Sequence, residues 1–244
     1  MTGSDPWWAG LPHSTQVSGE RLGMLNKYVR LLRGAGTVEG MVGPGLAATI
    51  EEQLQVTLRL ANARSPGDGE RWIDVGSGNG INALPLAVAW PEAHFTLMDV
   101  RRRSAGFMEA AIRSLGLENA LVRLGPVELL ARGPEREAFD VATARALGPL
   151  PVVVELLGAL VRPGGALMVP RWGVEDAEMA DARAACQTMG LGAPELVFLG
   201  TGQVDPKVGV VIMSKVSPAP AAFPRRPGVP ARRPLRMSTP HPEA

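Results

Sequence analysis

The sequence is poor in the residues that build disulfides and metal sites. Its 244 residues include one cysteine, Cys186, and three histidines, His13, His94 and His241, which lie far apart and are never paired at ligand spacing. A single cysteine excludes an intramolecular disulfide framework and a cysteine-built zinc site, and it agrees with a reducing cytoplasm. The scattered histidines argue against a histidine metal site. No apolar run approaches the roughly 20 residues that a membrane-spanning helix needs; Leu150–Val161 is among the longest. The first residues lack a basic segment followed by an apolar one, so no secretion signal and a cytoplasmic location are expected. Coiled-coil heptads are missing too, and a monomer is the expectation. Net charge is small, with 25 basic and 24 acidic residues giving +1. Acid is wholly absent from 217–236, where Arg225, Arg226, Arg232, Arg233 and Arg236 fall in a proline-rich stretch. Composition reads that stretch as a solvated, disordered end, although five arginines can also hold a polyanion locally.

What is present is ordinary for a folded chain: 45% hydrophobic and 20% charged residues, enough for one large domain or one domain with extensions. Residues 1–17 carry Gly, Pro, Ser and two tryptophans without periodicity and read as loose. Leu22, Leu25, Tyr28, Val29 and Leu32 then recur three or four apart behind Ser18 as a cap, predicting an amphipathic helix. A second helix is predicted over Ala47–Ala63. Ser65-Pro-Gly-Asp-Gly69 is a turn cluster and the predicted boundary between a helical extension (1–63) and the main domain (64–216). Beyond it, β-rich runs at Arg71–Val75, His94–Asp99, Ala120–Leu124, Phe139–Arg145 and Ala166–Pro170 alternate with helical segments at Ile81–Ala89, Arg103–Leu115, Val127–Ala131 and Leu150–Val161. Such alternation predicts an α/β fold with a mostly parallel sheet and helices on both faces. A last helix, Val174–Met189, precedes runs at Glu195–Gly200 and Val208–Val216, which predict an antiparallel hairpin closing the sheet. Residues 217–244 form the basic Pro/Arg-rich tail.

The segment Asp74-Val-Gly76-Ser77-Gly78-Asn-Gly80 leaves the first strand and enters a helix. Glycines there permit a sharp turn and close approach of a ligand to the backbone, beside a helix N-terminus at the carboxyl end of the sheet. A nicotinamide site would read G-x-G-x-x-G. Here the order is D-x-G-x-G-x-G, with an acid at the strand end that repels a pyrophosphate and suits the ammonium of an amino-acid ligand. That points to S-adenosylmethionine. Asp99 ends the second strand, 19 residues after Gly80, where a carboxylate can accept from both ribose hydroxyls. Gly125-Pro-Val127-Glu128 follows the third strand and would set an adenine against Val127; Glu128 reads equally as a cofactor contact and as a helix-start residue.

The residues after Phe139-Asp140-Val141 limit the chemistry. A methyltransferase of exocyclic amines in DNA would carry Asn or Asp and then Pro-Pro-aromatic; this chain has Ala142-Thr-Ala-Arg145-Ala146-Leu147. A C5-pyrimidine methylase needs a cysteine nucleophile, and Cys186, in a late helix, reads as core packing. Guanine N7 has an exposed lone pair and no proton to remove, so transfer to it requires alignment and exclusion of water. Arg145 is then the candidate catalytic residue, an anchor for guanine O6 or a phosphate; the competing reading is a salt bridge at a strand end.

Together, Asp74–Gly80, Asp99, Ala144-Arg145-Ala146 and Phe223-Pro-Arg-Arg-Pro-Gly-Val-Pro-Ala-Arg-Arg-Pro-Leu235 resemble the bacterial small-subunit ribosomal RNA guanine-N7 methyltransferase family, also called glucose-inhibited division protein B. The glycine loop and Asp99 occur in many methyltransferases; the tail and the Ala-Arg-Ala stretch are narrower. The resemblance runs from about Arg71 to Leu235. It implies a class I, Rossmann-like fold, S-adenosylmethionine as donor, and guanine N7 of 16S rRNA in the 30S subunit as acceptor, with no metal and no membrane. By that resemblance Asp74, Gly76, Ser77, Gly78, Gly80, Asp99, Val127, Glu128 and Arg145 are candidate cofactor contacts. Arg103, Arg171, Arg225, Arg226, Arg232 and Arg233 are candidate RNA contacts.

There are departures. The family's Asn-Leu-Thr and His-x-x-Asp-Ser-Leu segments are replaced by Thr37-Val-Glu-Gly-Met-Val-Gly-Pro-Gly-Leu46. Ile81-Asn82-Ala83 stands where Phe-Pro-Gly is usual. The lysine-glycine after strand five becomes Pro170-Arg171-Trp172-Gly173, and Arg and Lys are not equivalent at a tight anion site. The substrate side is thus the less matched half, which leaves open a methyltransferase of another substrate, such as a small molecule, or an inactive cofactor-binding homologue.

Overall fold

A computed structural model of the chain describes residue 17 and residues 19–37, 39–200 and 204–236. Ser18, residues 1–16 with His13, and the end of the tail with His241 lie outside the described residues.

A seven-stranded sheet holds β1 (Arg71–Val75), β2 (His94–Asp99), β3 (Ala120–Leu124), β4 (Phe139–Thr143), β5 (Val161–Trp172), β6 (Glu195–Phe198) and β7 (Val208–Ser214) in the order β3-β2-β1-β4-β5-β7-β6. The pairs β1–β2, β1–β4, β2–β3 and β4–β5 are parallel; β7 runs antiparallel to both β5 and β6. The sheet and its antiparallel C-terminal hairpin are thus as the alternation predicts. Central strands read as apolar runs because both faces are covered. Trp72, Val141 and Met168 face one core, and Ile73, Ala142, Leu167 and Val169 face the other.

The first core is closed by α1 (Gly19–Leu31), α3 (Ile50–Ala63), α4 (Leu84–Ala89) and α5 (Arg102–Leu115); the second by α6 (Val127–Leu130), α7 (Leu150–Gly158) and α8 (Asp176–Met189). The short α2 (Pro44–Ala48) precedes α3, and α9 (Val229–Arg232) lies in the tail. The predicted helix over Ala47–Ala63 is therefore divided at Thr49, whose φ of −125° leaves the helical region. The N-terminal helices are no loose annex: Leu25, Tyr28, Leu32, Ile50 and Leu54 are fully buried in the same core as Trp72, Leu84 and Leu97. Cys186 is buried beside Ala182 and Met189 in the second core, as packing rather than chemistry requires.

Five ends of strands depart from the sequence reading: β5 runs on to Trp172 instead of Pro170, β6 stops at Phe198 instead of Gly200 and β7 at Ser214 instead of Val216, and two more change the turns beside the site. Strand β4 stops at Thr143 instead of Arg145, and the backbone is left-handed at Ala146, with a φ of 55°. Strand β5 begins at Val161, so the Arg-Pro-Gly-Gly turn is absorbed into it, with a register shift between Phe139 and Val141.

The basic tail is packed, contrary to the disorder its composition suggests. The Arg136 guanidinium donates to the carbonyls of Ala219, Pro220 and Phe223, Arg132 donates to Pro224 O, and Glu137 accepts from Ala219 N. Arg225 reaches the fully buried Glu155 of α7: its backbone N and Nε each lie 2.9 Å from Oε1, and Nη2 donates to Oε2. The strap packs Ala219, Phe223 and Leu235 against the second core and is further held by these charge-assisted hydrogen bonds.

Candidate functional site

Strand alternation places Asp74, Thr143 and Trp172 toward one end of the sheet, on the face that carries the N-terminal helices, and Arg145 follows two residues beyond β4, near Asp74, Tyr28 and Glu52. The loop leaving β1 is fixed by its own backbone. Gly76 N and Ser77 N donate to Met98 O at 2.8 and 3.0 Å, while Ser77 Oγ donates to Asp74 O at 2.8 Å and accepts from Met98 N at 3.1 Å. The Ser77 hydroxyl is thus used within the loop. Gly76 (φ 72°) and Gly80 (φ 85°) sit in the left-handed region, and each also lacks room for a side chain. A Cβ at Gly76 would lie 2.8 Å from Leu147 Cδ1, and one at Gly80 2.7 Å from Leu84 Cδ1.

Three contacts seat the loop on the N-terminal helices. Tyr28, the chain's one tyrosine, donates its hydroxyl to Asn79 O at 2.8 Å. Asn79 Nδ2 donates to Met41 O at 3.1 Å, and Thr57 Oγ1 donates to Ile81 O at 2.8 Å. Burial, reinforced by the Asp74 carboxylate, raises the Tyr28 hydroxyl well above its ordinary pKa, so it stays a donor.

Asp74 and Asp99 are both buried yet differently furnished. Asp99 accepts from Gly78 N (2.9 Å) on Oδ2 and from Arg101 N (2.8 Å) on Oδ1, which fixes the carboxylate plane and leaves each oxygen a further lone pair. Asp74 Oδ1 accepts from Asn82 Nδ2 at 2.7 Å, and the same amide donates to Thr143 Oγ1 at 3.0 Å. Asp74 Oδ2 is buried with no hydrogen-bond partner. Burial pushes the Asp74 pKa up to about 6, against the opposing pull of Asn82, the nearby Ser77 hydroxyl and Arg145. A buried carboxylate oxygen left bare in the native state is costly unless a ligand donates to it.

Arg145 stands at the end of β4. Its Cζ lies 4.6 Å from the ring centroid of Trp172, and its Nη1 is buried without a hydrogen-bond partner. Burial lowers its pKa to about 10, with Asp74, Tyr28 and Glu52 pulling the other way, so the guanidinium remains charged at neutral pH. Asp74 is thus the carboxylate that acts most strongly on it, and no salt bridge is formed by Arg145 among the described residues.

The other sequence-selected residues fall elsewhere. Val127 is buried in the core on the α7 side, and Glu128 Oε1 accepts from Gly228 N of the tail at 3.0 Å. Val100, directly after Asp99, is 64% exposed and is the apolar surface nearest that carboxylate in sequence. Arg171 lies on the opposite face of β5 from Trp172. Its Nη2 donates to Gly148 O at 2.6 Å and is 3.9 Å from Glu178. Arg225 is held by Glu155, whereas Arg103, Arg226, Arg232 and Arg233 are exposed. The sequence reading missed Asn82, Asn79, Tyr28 and Trp172. Asn82 carried one signal, as the only amide side chain between the glycine loop and α4.

Among the described residues no cluster of three His, Cys, Asp or Glu could hold a metal ion, and no helix is long and apolar enough to cross a membrane. Comparison with known proteins agrees with the fold. A protein from Roseiflexus castenholzii named Ribosomal RNA small subunit methyltransferase G is 38% identical over 181 residues, covering 72% of this chain and 76% of that one. One of the same name from Rubrobacter xylanophilus is 34% identical over 232 residues, covering 91% and 86%. The crystal structure of a SAM-dependent methyltransferase from Aquifex aeolicus superposes with a TM-score of 0.53 at 17% identity, over 73% of this chain and 97% of that one, a likeness of fold. Residues 21–205 match the family model described as rRNA small subunit methyltransferase G, and the chain belongs to that family.

Proposed function

We infer that this protein transfers a methyl group from S-adenosylmethionine to N7 of a guanine in 16S rRNA of the small ribosomal subunit. The observation that carries the reading is the bare, buried Oδ2 of Asp74 beside a carboxylate, Asp99, whose two oxygens are already oriented by backbone N–H groups. An amino-acid ammonium and a ribose diol fit this donor-hungry pair. Asp74 Oδ2 would accept from the ammonium, which would favour its ionised form, and Asp99 would take the diol on its free lone pairs. Gly76 and Gly80 keep the backbone close to the ligand, and Val100 supplies apolar surface for a purine.

When bound, S-adenosylmethionine supplies an electrophilic methyl carried on a sulfonium. The acceptor N7 is unprotonated at neutral pH, so no side chain has to remove a proton, and the protein's work is alignment and exclusion of water. Arg145 has the charge and the unused Nη1 to anchor O6 or a phosphate, and leaves N7 free. Tyr28, Asn79 and Asn82 hold the glycine loop and Asp74 in place without touching the reacting atoms.

A tritium-transfer assay on unmethylated 30S subunits, 70S ribosomes and free rRNA tests the reading, with strand scission by borohydride and aniline to map the product. The expected result is label in 16S rRNA at a cleavable guanine. Methylated RNA that resists cleavage would replace N7 by another acceptor atom, and no transfer to any RNA would overturn the reading.

A further inference from the structure

Trp172 is the unexplained residue at this end of the sheet. It is 40% exposed and pairs opposite Val208 in the β5–β7 ladder. The other large apolar side chains left in water among the described residues, such as Leu121, Val197 and Phe198, belong to the edge strands β3 and β6 or to loops and short helices. Trp172 instead ends an interior strand, one strand from Arg145, and the Arg145 guanidinium lies over its ring at 4.6 Å. The residue before it cannot do the work of an RNA contact there. Alternation turns Arg171 to the opposite face, where Gly148 O and Glu178 take its guanidinium.

We propose that Trp172 is the stacking surface for the acceptor base, with Arg145 fixing the indole's orientation from the opposite face, which leaves the guanidinium to anchor a phosphate rather than O6 of that same guanine. The proposal rests on the reading of the protein as an RNA guanine methyltransferase. A guanine whose N7 is to meet a methyl group in a buried site must leave its own stack, and that loss favours an enzyme with an aromatic face to replace it. An indole provides such a face without competing for N7 or O6, because it stacks on the ring plane and not the edge. It also suits the product: N7-methylguanine carries a positive charge, which the indole's negative face tolerates. Packing against the guanidinium leaves the ring few alternative orientations, so little ordering remains to be done when the base arrives.

The test uses the full chain with Trp172→Phe, Trp172→Leu and Trp172→Ala, assayed for methyl transfer to unmethylated 30S subunits, with S-adenosylmethionine affinity measured in parallel by calorimetry. Stacking on an aromatic side chain corresponds to roughly 5- to 150-fold in affinity per base. Trp172→Ala and Trp172→Leu should therefore lose about 10- to 100-fold in kcat/KM for RNA, and Trp172→Phe only a few-fold, while the cofactor Kd stays within two-fold throughout. If Trp172→Ala fails to fold, the contrast between Phe and Leu carries the test, since both fill the site and only one has a π face. Leu equal to Phe, or full activity in all three with Arg145→Ala dead, overturns the proposal and leaves the guanine reading standing. Loss of cofactor affinity in step with activity would overturn it as well. A wild-type chain that labels no RNA removes both together.

Discussion

Replacing Arg225 by alanine should destabilise the protein far more than a surface arginine has any right to. Glu155 is fully buried in α7, within the run Leu150-Pro-Val-Val-Val-Glu-Leu-Leu-Gly158, and its described hydrogen bonds come from Arg225 alone. Removing one member of a buried pair strands the other charge, at about 3–5 kcal/mol. Two features move the expectation to the low end. The Arg225 side chain is 27% exposed, and the backbone N–H of residue 225 can still donate to Oε1. A loss of about 3 kcal/mol is the result, which at about 2–4 °C per kcal/mol for a chain of this size lowers the melting temperature by about 6–12 °C. Thermal unfolding followed by far-UV circular dichroism reads it directly. The cause is separated from mere loss of packing by Arg225→Met combined with Glu155→Leu, which leaves no charge to strand and should regain most of the stability. An Arg225→Ala protein that melts within a degree of wild type, or a double variant no better than the single, would refute the reasoning.

Other outcomes follow from the same geometry. Asp74 has a folded-state pKa raised to about 6 against 3.8, so between those values the folded chain holds a proton that the unfolded chain has released. Stability from this group therefore falls as pH rises from 4 to 6, and Asp74→Asn should melt higher than wild type at pH 8 and equal to it at pH 3.5, by about 3 kcal/mol at the upper bound; a constant difference across pH would refute the assignment. Binding of S-adenosylmethionine, measured by titration calorimetry, should weaken below about pH 6 as Asp74 protonates, and Asp74→Asn should abolish that pH dependence. Gly76→Ala must place a Cβ 2.8 Å from Leu147 Cδ1 at a φ of 72°, and should cost about 1–3 kcal/mol in urea unfolding together with cofactor affinity. Arg232→Ala with Arg233→Ala, which leaves the Arg225 clasp intact, should reduce the magnitude of the salt slope of RNA binding by about 1–2 with no change in melting temperature; an unchanged slope would take these arginines out of the interface.

Much of this architecture was legible because it is local. The strand boundaries at Arg71–Val75, His94–Asp99 and Ala120–Leu124 follow from apolar runs bounded by turn residues, and the structure reproduces them to the residue. Asp74, the glycines and Asp99 could be placed at strand ends because their spacing is set by one βαβ unit. What escaped the sequence depends on partners distant along the chain. The tail looks solvated by composition, yet its order is enforced by Arg132, Arg136, Glu137 and Glu155, which composition cannot pair with it. One signal was on view: a lone glutamate in the otherwise apolar α7 needs a buried cation, and the chain's richest supply of arginine lies in the tail. Arg171 and Trp172 illustrate the other limit. Which of two neighbours faces the site is decided by the register of β5 against β7, and one residue of slip exchanges them.

The two segments that composition treats as peripheral thus bear on the two loops that frame the cofactor reading. Tyr28, Met41 and Thr57 grip the loop after β1 from the N-terminal side, while Gly228 closes on Glu128 in the helix after β3. Neither loop has much apolar surface of its own with which to hold shape; glycines supply the turns, and polar contacts fix them. Each of those contacts is buried or half-buried, where an unmade hydrogen bond costs about 1–3 kcal/mol. A piece trimmed to residues 64–216 would keep every strand of the sheet. It would also uncover α4, against which α1 and α3 pack, on one face, leave Glu155 without Arg225 and Arg136 without its tail carbonyls on the other, and release the Asn79 turn from Tyr28. The alternating unit that the sequence marks out is therefore the scaffold of the site, and the helices before it and the strap after it are what make the scaffold rigid enough to align a methyl group with a ring nitrogen.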